Sequence, residues 1–116
     1  MSQAADAELY ERNFYAWTQV QAARLRELRG HNTIDIPHVA EEIEDLGASQ
    51  RNALASHARL ACEHLALLAV SPAEEPRAHW EHEVVNHRNE LRQLVETSPS
   101  LATKLDMTKT WRRALE

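Results

Sequence analysis

From Val39 to Leu68 a single three-and-four step runs through Val39, Ile43, Leu46, Gln50, Leu54, His57, Ala61, His64 and Leu68. A period near 3.6 held over that length dictates a helix much longer than the three or four turns usual in globular domains. Gly47 interrupts the composition of this stretch but not its phase. Two readings follow: one long helix weakened or kinked at Gly47, or a short helix ending there with Ser49 capping a second. The unbroken phase favours the single helix. With only two Gly, four Pro, one Phe and two Tyr in 116 residues, the chain lacks the turn chemistry and aromatic content of a sheet, which excludes an all-β fold. A chain of this length is one domain, able to bury a core without disulfides or structural metal.

The remaining segments fall into place around this helix. Tyr10, Phe14, Trp17, Gln21, Leu25 and Leu28 mark one face of a first helix over about 6–29. Asp6, Glu8 and Glu11 lie near its start and Arg24, Arg26 and Arg29 near its end, which complements the helix macrodipole, and Gly30 is placed to terminate it. Its aromatic trio has the spacing of core residues. After the loop GHNTIDI (30–36), Asp35 is the N-cap candidate and Pro37 a first-turn proline. SPAEEP (71–76) connects to a third helix carrying Trp80, Val84, His87, Leu91 and Leu94, which runs to about Glu96. Thr97-Ser98-Pro99-Ser100 stops that helix and starts a fourth, with Ser98 as N-cap and Leu101, Leu105, Thr108, Trp111 and Leu115 on its face. The expectation is an all-α, single-domain bundle of about four mostly antiparallel helices with a long second helix. Residues 1–5 are expected to be disordered, and Leu115-Glu116 matches a common cloning scar.

Charge and cysteine content narrow the function classes. With 13 Lys and Arg against 18 Asp and Glu the formal charge is −5, unlike the basic face of a nucleic-acid binder. One Cys, Cys62, excludes an intrachain disulfide and a zinc site built on several thiolates. There is neither an apolar run long enough to span a membrane nor a secretory signal, so a cytoplasmic chain without membrane or nucleic-acid partners is expected. Two glycines cannot build a phosphate-cradling Gly-rich loop, and no cofactor fingerprint is present.

Several local strings occur in order: LYERNFYAW (9–17), EEIEDLG (41–47), His64-Leu65, Trp80 followed by Arg88, and SPSL (98–101). Together they resemble the DUF29 family, bacterial all-helical proteins of uncharacterised function, over about residues 8–105. The family-like positions are Trp17, His64, Trp80 and Arg88. The chain departs from the family pattern at Asn13, usually Asp, and at Leu65-Ala66-Leu67-Leu68, where a Leu-Leu-Lys-Trp run is common. It departs again around Trp80, where His79 replaces Ser and His82 and Glu83 replace uncharged residues. The resemblance implies a helical fold and no known reaction.

The seven histidines are the residues most suited to chemistry. His79, Glu83 and His87 form an i, i+4, i+8 ladder with His82 beside it, and two such ligands plus His64 or His57 from the second helix would make a metal site. A solvated His-rich face produces the same spacing by chance, and the resemblance does not place His at the third-helix positions. His57 and His64 share the apolar stripe, where a histidine is usually a satisfied core polar group. His64 with a carboxylate would form an acid–base pair, but no nucleophile is linked to it by a motif. Cys62 falls on another side of the helix, the place of a small buried hydrophobe.

The carboxylates tell a different story. Asp35, Glu41, Glu42, Glu44 and Asp45 lie between Asp35 and Gly47 with no Lys or Arg among them, a local charge equal to the whole net charge of −5. Without duplicated Glu-x-x-His pairs they do not form a di-iron set. They are expected on a solvated face, the first candidate for docking a basic partner. Arg24, Arg26 and Arg29 are the compact basic patch, explained by the helix end. The function expected is a non-enzymatic protein-interaction or oligomerisation module without cofactor, in which surplus Tyr10, Phe14 and Trp111 pair with a second copy or another protein. The alternative is a metal-dependent or acid–base enzyme centred on His64, His79, Glu83 and His87. A DNA-binding or antitoxin-like role is a minor third.

Overall fold

The computed structural model describes residues 2–28 and 33–116, all helix and connection with no strand among them. Five α-helices and one 3-10 helix follow in order: α1 (Gln3–Arg12), α2 (Phe14–Glu27), α3 (Ile36–Val70), α4 (Arg77–Thr97), the 3-10 helix Pro99–Lys104 and α5 (Met107–Ala114). No helix is long and apolar enough to cross a membrane among the described residues.

Two of the four expected helices are each divided. The first breaks at Asn13, whose backbone leaves the helical region and closes α1 through its N–H to the Leu9 carbonyl. The same residue opens α2, its Oδ1 accepting the Ala16 N–H at 3.4 Å. An amide that caps from its own side chain competes with helix continuation, which the apolar period does not reveal. The fourth breaks because Pro99 favours a tight 3-10 turn, and Asp106 then caps α5 by accepting the Lys109 N–H at 3.1 Å. At the N-terminus α1 begins at Gln3, with Ser2 Oγ accepting the Ala5 N–H. The expected stop at Gly30 lies outside the described residues.

The long helix is continuous through Gly47. Gly47 is buried, and a Cβ there would come within 2.3 Å of Thr18 Oγ1, 2.7 Å of Gln19 Nε2 and 3.1 Å of Tyr15 Cδ1. Gly47 is therefore where α2 crosses α3 at close range, so the glycine serves packing and does not break the helix. At the start of α3, Asp35 caps the His38 N–H and Pro37 occupies the first turn.

The core is small. Tyr15, Leu54 and Leu101 are its buried cluster, with Leu91, Leu94, Val95 and Leu105 packed against them. On α2 the buried residues are Tyr15, Thr18 and Ala22, one position round from the expected stripe. Tyr10, Phe14 and Trp17 instead form their own cluster, with ring centroids 5.0–5.8 Å apart. Tyr10 is 47% exposed, so this cluster sits at the surface and is not core.

A node of hydrogen bonds ties the ends of the chain to this core. The buried Ser98 Oγ accepts the Tyr15 N–H at 2.9 Å and donates to Gln50 Oε1 at 2.8 Å. Ser100 Oγ donates to Asn13 Oδ1 at 3.0 Å. The first turn of α2 leaves main-chain N–H groups without helical partners, and this serine turn supplies one of the acceptors. Strings far apart in sequence thus meet: LYERNFYAW, the residues beside EEIEDLG, and SPSL.

Candidate functional site

α3 and α4 run past each other in opposite directions, as three pairs show. Gln50 meets Ser98, His57 meets His87, and the Arg77 guanidinium donates to the Leu68 carbonyl at 2.9 Å and to that of Ser71 at 3.3 Å. Arg77 thereby caps the end of α3, where carbonyls lack helical donors, and closes the hairpin.

Inside this hairpin four of the histidines gather. His57 Nδ1 lies 3.0 Å from His87 Nδ1, so one ring donates and the other accepts. His87 Nε2 is 3.4 Å from Glu83 Oε2. His64 Nδ1 donates to the Leu60 carbonyl at 2.7 Å, and its ring centroid lies 5.9 Å from that of His87 and 6.5 Å from that of His79. The ladder read from sequence does converge with the second helix. One pair of rings is hydrogen-bonded and the rings lie tilted or edge-on to one another; no group of three His, Cys, Asp or Glu among the described residues is arranged to hold a metal ion. His82 is exposed on α4.

The other family-like positions do not join this cluster. Trp17 belongs to the aromatic group with Tyr10 and Phe14. Trp80 is half-buried and Arg88 exposed, and neither has a hydrogen bond, ion pair or ring contact with His64 among the described residues. Cys62 is buried, and burial raises its thiol pKa, which keeps it neutral.

The acidic segment is partly neutralised within the chain. Asp35 Oδ2 lies 2.6 Å from His38 Nδ1; this bond lowers the Asp35 pKa and raises that of His38. Glu44 pairs with Arg26. Glu41, Glu42 and Asp45 are exposed and have no ion-pair partner among the described residues. The patch therefore offers three free carboxylates, not five. Of the basic patch at the end of α2, Arg24 pairs with Asp6 at 2.7 Å and Arg26 with Glu44, while Arg29 lies outside the described residues.

One feature escaped the sequence reading. A groove of about 480 Å³ lies between α3 and the segment from Lys104 to Arg113, lined by Arg51, Arg59, Lys104, Asp106, Lys109 and Arg113 among others. The compact basic surface of this chain is here. The i, i+8 spacing of Arg51 and Arg59 and the i, i+4 spacing of Lys109 and Arg113 each mark a helix face, but nothing local says that the two faces meet.

A further arrangement concerns the molecule as a whole. The radius of gyration is 18.7 Å and the principal extents are 65 × 27 × 22 Å; a compact chain of this length would have a radius of about 13 Å. The accessible surface is 7914 Å², against about 6,500 Å² for a compact protein of this mass. Gln50, Gly47 and the groove place α2, the 3-10 helix and α5 along α3 as far as Arg59. Beyond that point α3 and α4 project as an arm, on which Leu65, Leu67, Val70 and Val85 are exposed.

A family model described as "Domain of unknown function DUF29" matches residues 9–116. Among solved structures, an alpha-helical protein of unknown function from Rhodospirillum rubrum matches with a TM-score of 0.79 and 34% identity, covering 91% of this chain and 69% of that one. No curated protein matches the chain.

Proposed function

The chain belongs to the DUF29 family, a domain of unknown function, and from its geometry we propose that it works as a non-enzymatic helical module that self-associates through the α3–α4 arm. The observation that carries this reading is the excess of surface. The chain exposes about 1,400 Å² more than a compact protein of its mass, and a standard interface takes about 800 Å² from each partner. Two helices alone cannot enclose an apolar layer, because each has only one neighbour. A second arm laid against the first along a two-fold axis makes a four-helix bundle and covers Leu67 and Val70, which lie three residues apart on one face of α3. The acidic surface at Glu41, Glu42 and Asp45 stays outside the bundle and supplies a docking face for a basic partner.

Small-angle scattering over a concentration series tests this reading. The forward intensity per unit mass should be twice that of one chain at micromolar concentrations and above. A monomer intensity at every concentration would overturn it.

A second reading, acid–base chemistry at the interhelical histidines, draws on the chain from Glu83 through His87 to His57. A carboxylate that orients one imidazole against another is a proton path. A nucleophile is what this site lacks, since Cys62 is buried as a neutral thiol. A bell-shaped pH profile for hydrolysis of an activated ester, abolished in His87→Ala, would favour this reading over the first.

A further inference from the structure

We propose that the groove between α3 and α5 is a binding site for a short oligophosphate chain. Five cationic side chains line it, Arg51 and Arg59 from α3 and Lys104, Lys109 and Arg113 from the opposite wall, with Asp106 as its carboxylate. Lys104 and Lys109 are both of the lysines that the chain contains. So dense a positive surface in a chain of formal charge −5 is held together against its own repulsion, a cost that a bound polyanion removes.

The partners of these cations decide which kind of anion fits. Arg59 is paired with Glu63 at 2.6 Å, and Arg51 donates to the Tyr15 hydroxyl at a long 3.5 Å. Lys104, Lys109 and Arg113 have no side-chain partner among the described residues. Asp106 spends one oxygen on the Lys109 N–H as the cap of α5. Three free cations with Arg51 beside them call for an anion carrying about three or four charges, more than one carboxylate or orthophosphate brings. The volume of about 480 Å³ falls within the range of small-molecule sites.

The groove also argues against larger polyanions. No aromatic ring lines it, so it has no surface on which a base would stack. A nucleic acid running beyond the groove would meet the acidic remainder of the chain, which the net charge makes repulsive. Recognition is by side chains from three helical elements and needs no glycine loop, which is why the scarcity of glycine does not exclude it.

Calorimetric titration of the full chain with inorganic tripolyphosphate at low ionic strength tests the proposal. One site per chain is expected, weakening as salt is added, with orthophosphate at least about tenfold weaker. Lys104→Ala/Lys109→Ala should lose about tenfold or more in affinity. Both lysines are exposed, so the helical circular dichroism and melting of this variant should match those of the parent. A nucleoside triphosphate run alongside separates the two sources of such a chain. A matched affinity supports nucleotide tails, and a lower one supports the free oligophosphate. No heat with tripolyphosphate, an unchanged affinity in the double variant, or tighter binding of a polyglutamate peptide would overturn the proposal.

Discussion

Ser98 Oγ accepts the main-chain N–H of Tyr15 at 2.9 Å, although 83 positions separate the two residues. The same hydroxyl donates to Gln50 Oε1, so one small side chain satisfies the start of α2 from the end of α4 and fixes both against α3. Removing it leaves a buried N–H and a half-buried amide without partners, and a group stranded in this way costs more than an average hydrogen bond contributes. Ser98→Ala should therefore destabilise the fold by about 2 kcal/mol. The urea midpoint should fall with no change in slope. Ser100→Ala should cost less, because Asn13 Oδ1 still accepts the Ala16 N–H.

Gly47 offers a test in which local propensity and packing point in opposite directions. Alanine is the better helix former by about 1 kcal/mol. The added methyl, however, would meet Thr18 Oγ1 at 2.3 Å, and Thr18 is fully buried and donates to the Tyr15 carbonyl at 2.6 Å. With no room to give way, α2 must lift from α3. Gly47→Ala should lower stability by about 1–3 kcal/mol, whereas Ala48→Gly nearby should lose only the propensity term. Thermal melts of the two variants distinguish packing from propensity.

These two positions also mark what the sequence makes legible. The unbroken phase across Gly47 foretells the long α3, because helical period is a local property that the residues themselves carry. The helix end at Asn13 is not foretold. An asparagine is tolerated inside a helix, and the contacts that support the break here, Ser98 Oγ accepting the Tyr15 N–H and Ser100 Oγ donating to Asn13 Oδ1, come from the far end of the chain. The shift of the buried face of α2 to Tyr15, Thr18 and Ala22 has the same origin, since α3 presents a glycine where a small gap suits those residues. At the candidate sites the histidine ladder is visible because it lies on one helix. The basic groove is hidden because its two walls are half the chain apart.

The start of α3 should respond to pH in a defined window. The bond between Asp35 and His38 lowers the carboxyl pKa below 3.8 and raises the imidazole above 6.5. The Asp35 contribution is full above its unfolded value and is lost as pH falls through the lowered one. The His38 contribution is full below its unfolded value and is lost as pH rises through the raised one. Both are in force between 3.8 and 6.5. A proton NMR titration should find the His38 midpoint raised, and Asp35→Asn should return it toward the ordinary range. Both groups are exposed, so added salt should reduce the shift.

Cys62 should be nearly inert in the native chain. It is 3% exposed, and its burial raises the thiol pKa above the ordinary 9.0. The thiolate is the reactive form, so Ellman's reagent at neutral pH should label Cys62 slowly in buffer and rapidly in denaturant. Fast labelling in buffer would mean that α3 opens around this position.

Sedimentation equilibrium tests the pairing of the α3–α4 arm most directly. At micromolar concentrations and above, the full chain should sediment with twice the mass of one chain. Leu67→Lys/Val70→Lys should sediment as a monomer with unchanged helical circular dichroism, because positive charge near the end of a helix does not oppose its dipole. A parent chain that remains monomeric throughout, or a double variant that still dimerises, would contradict self-association through this arm.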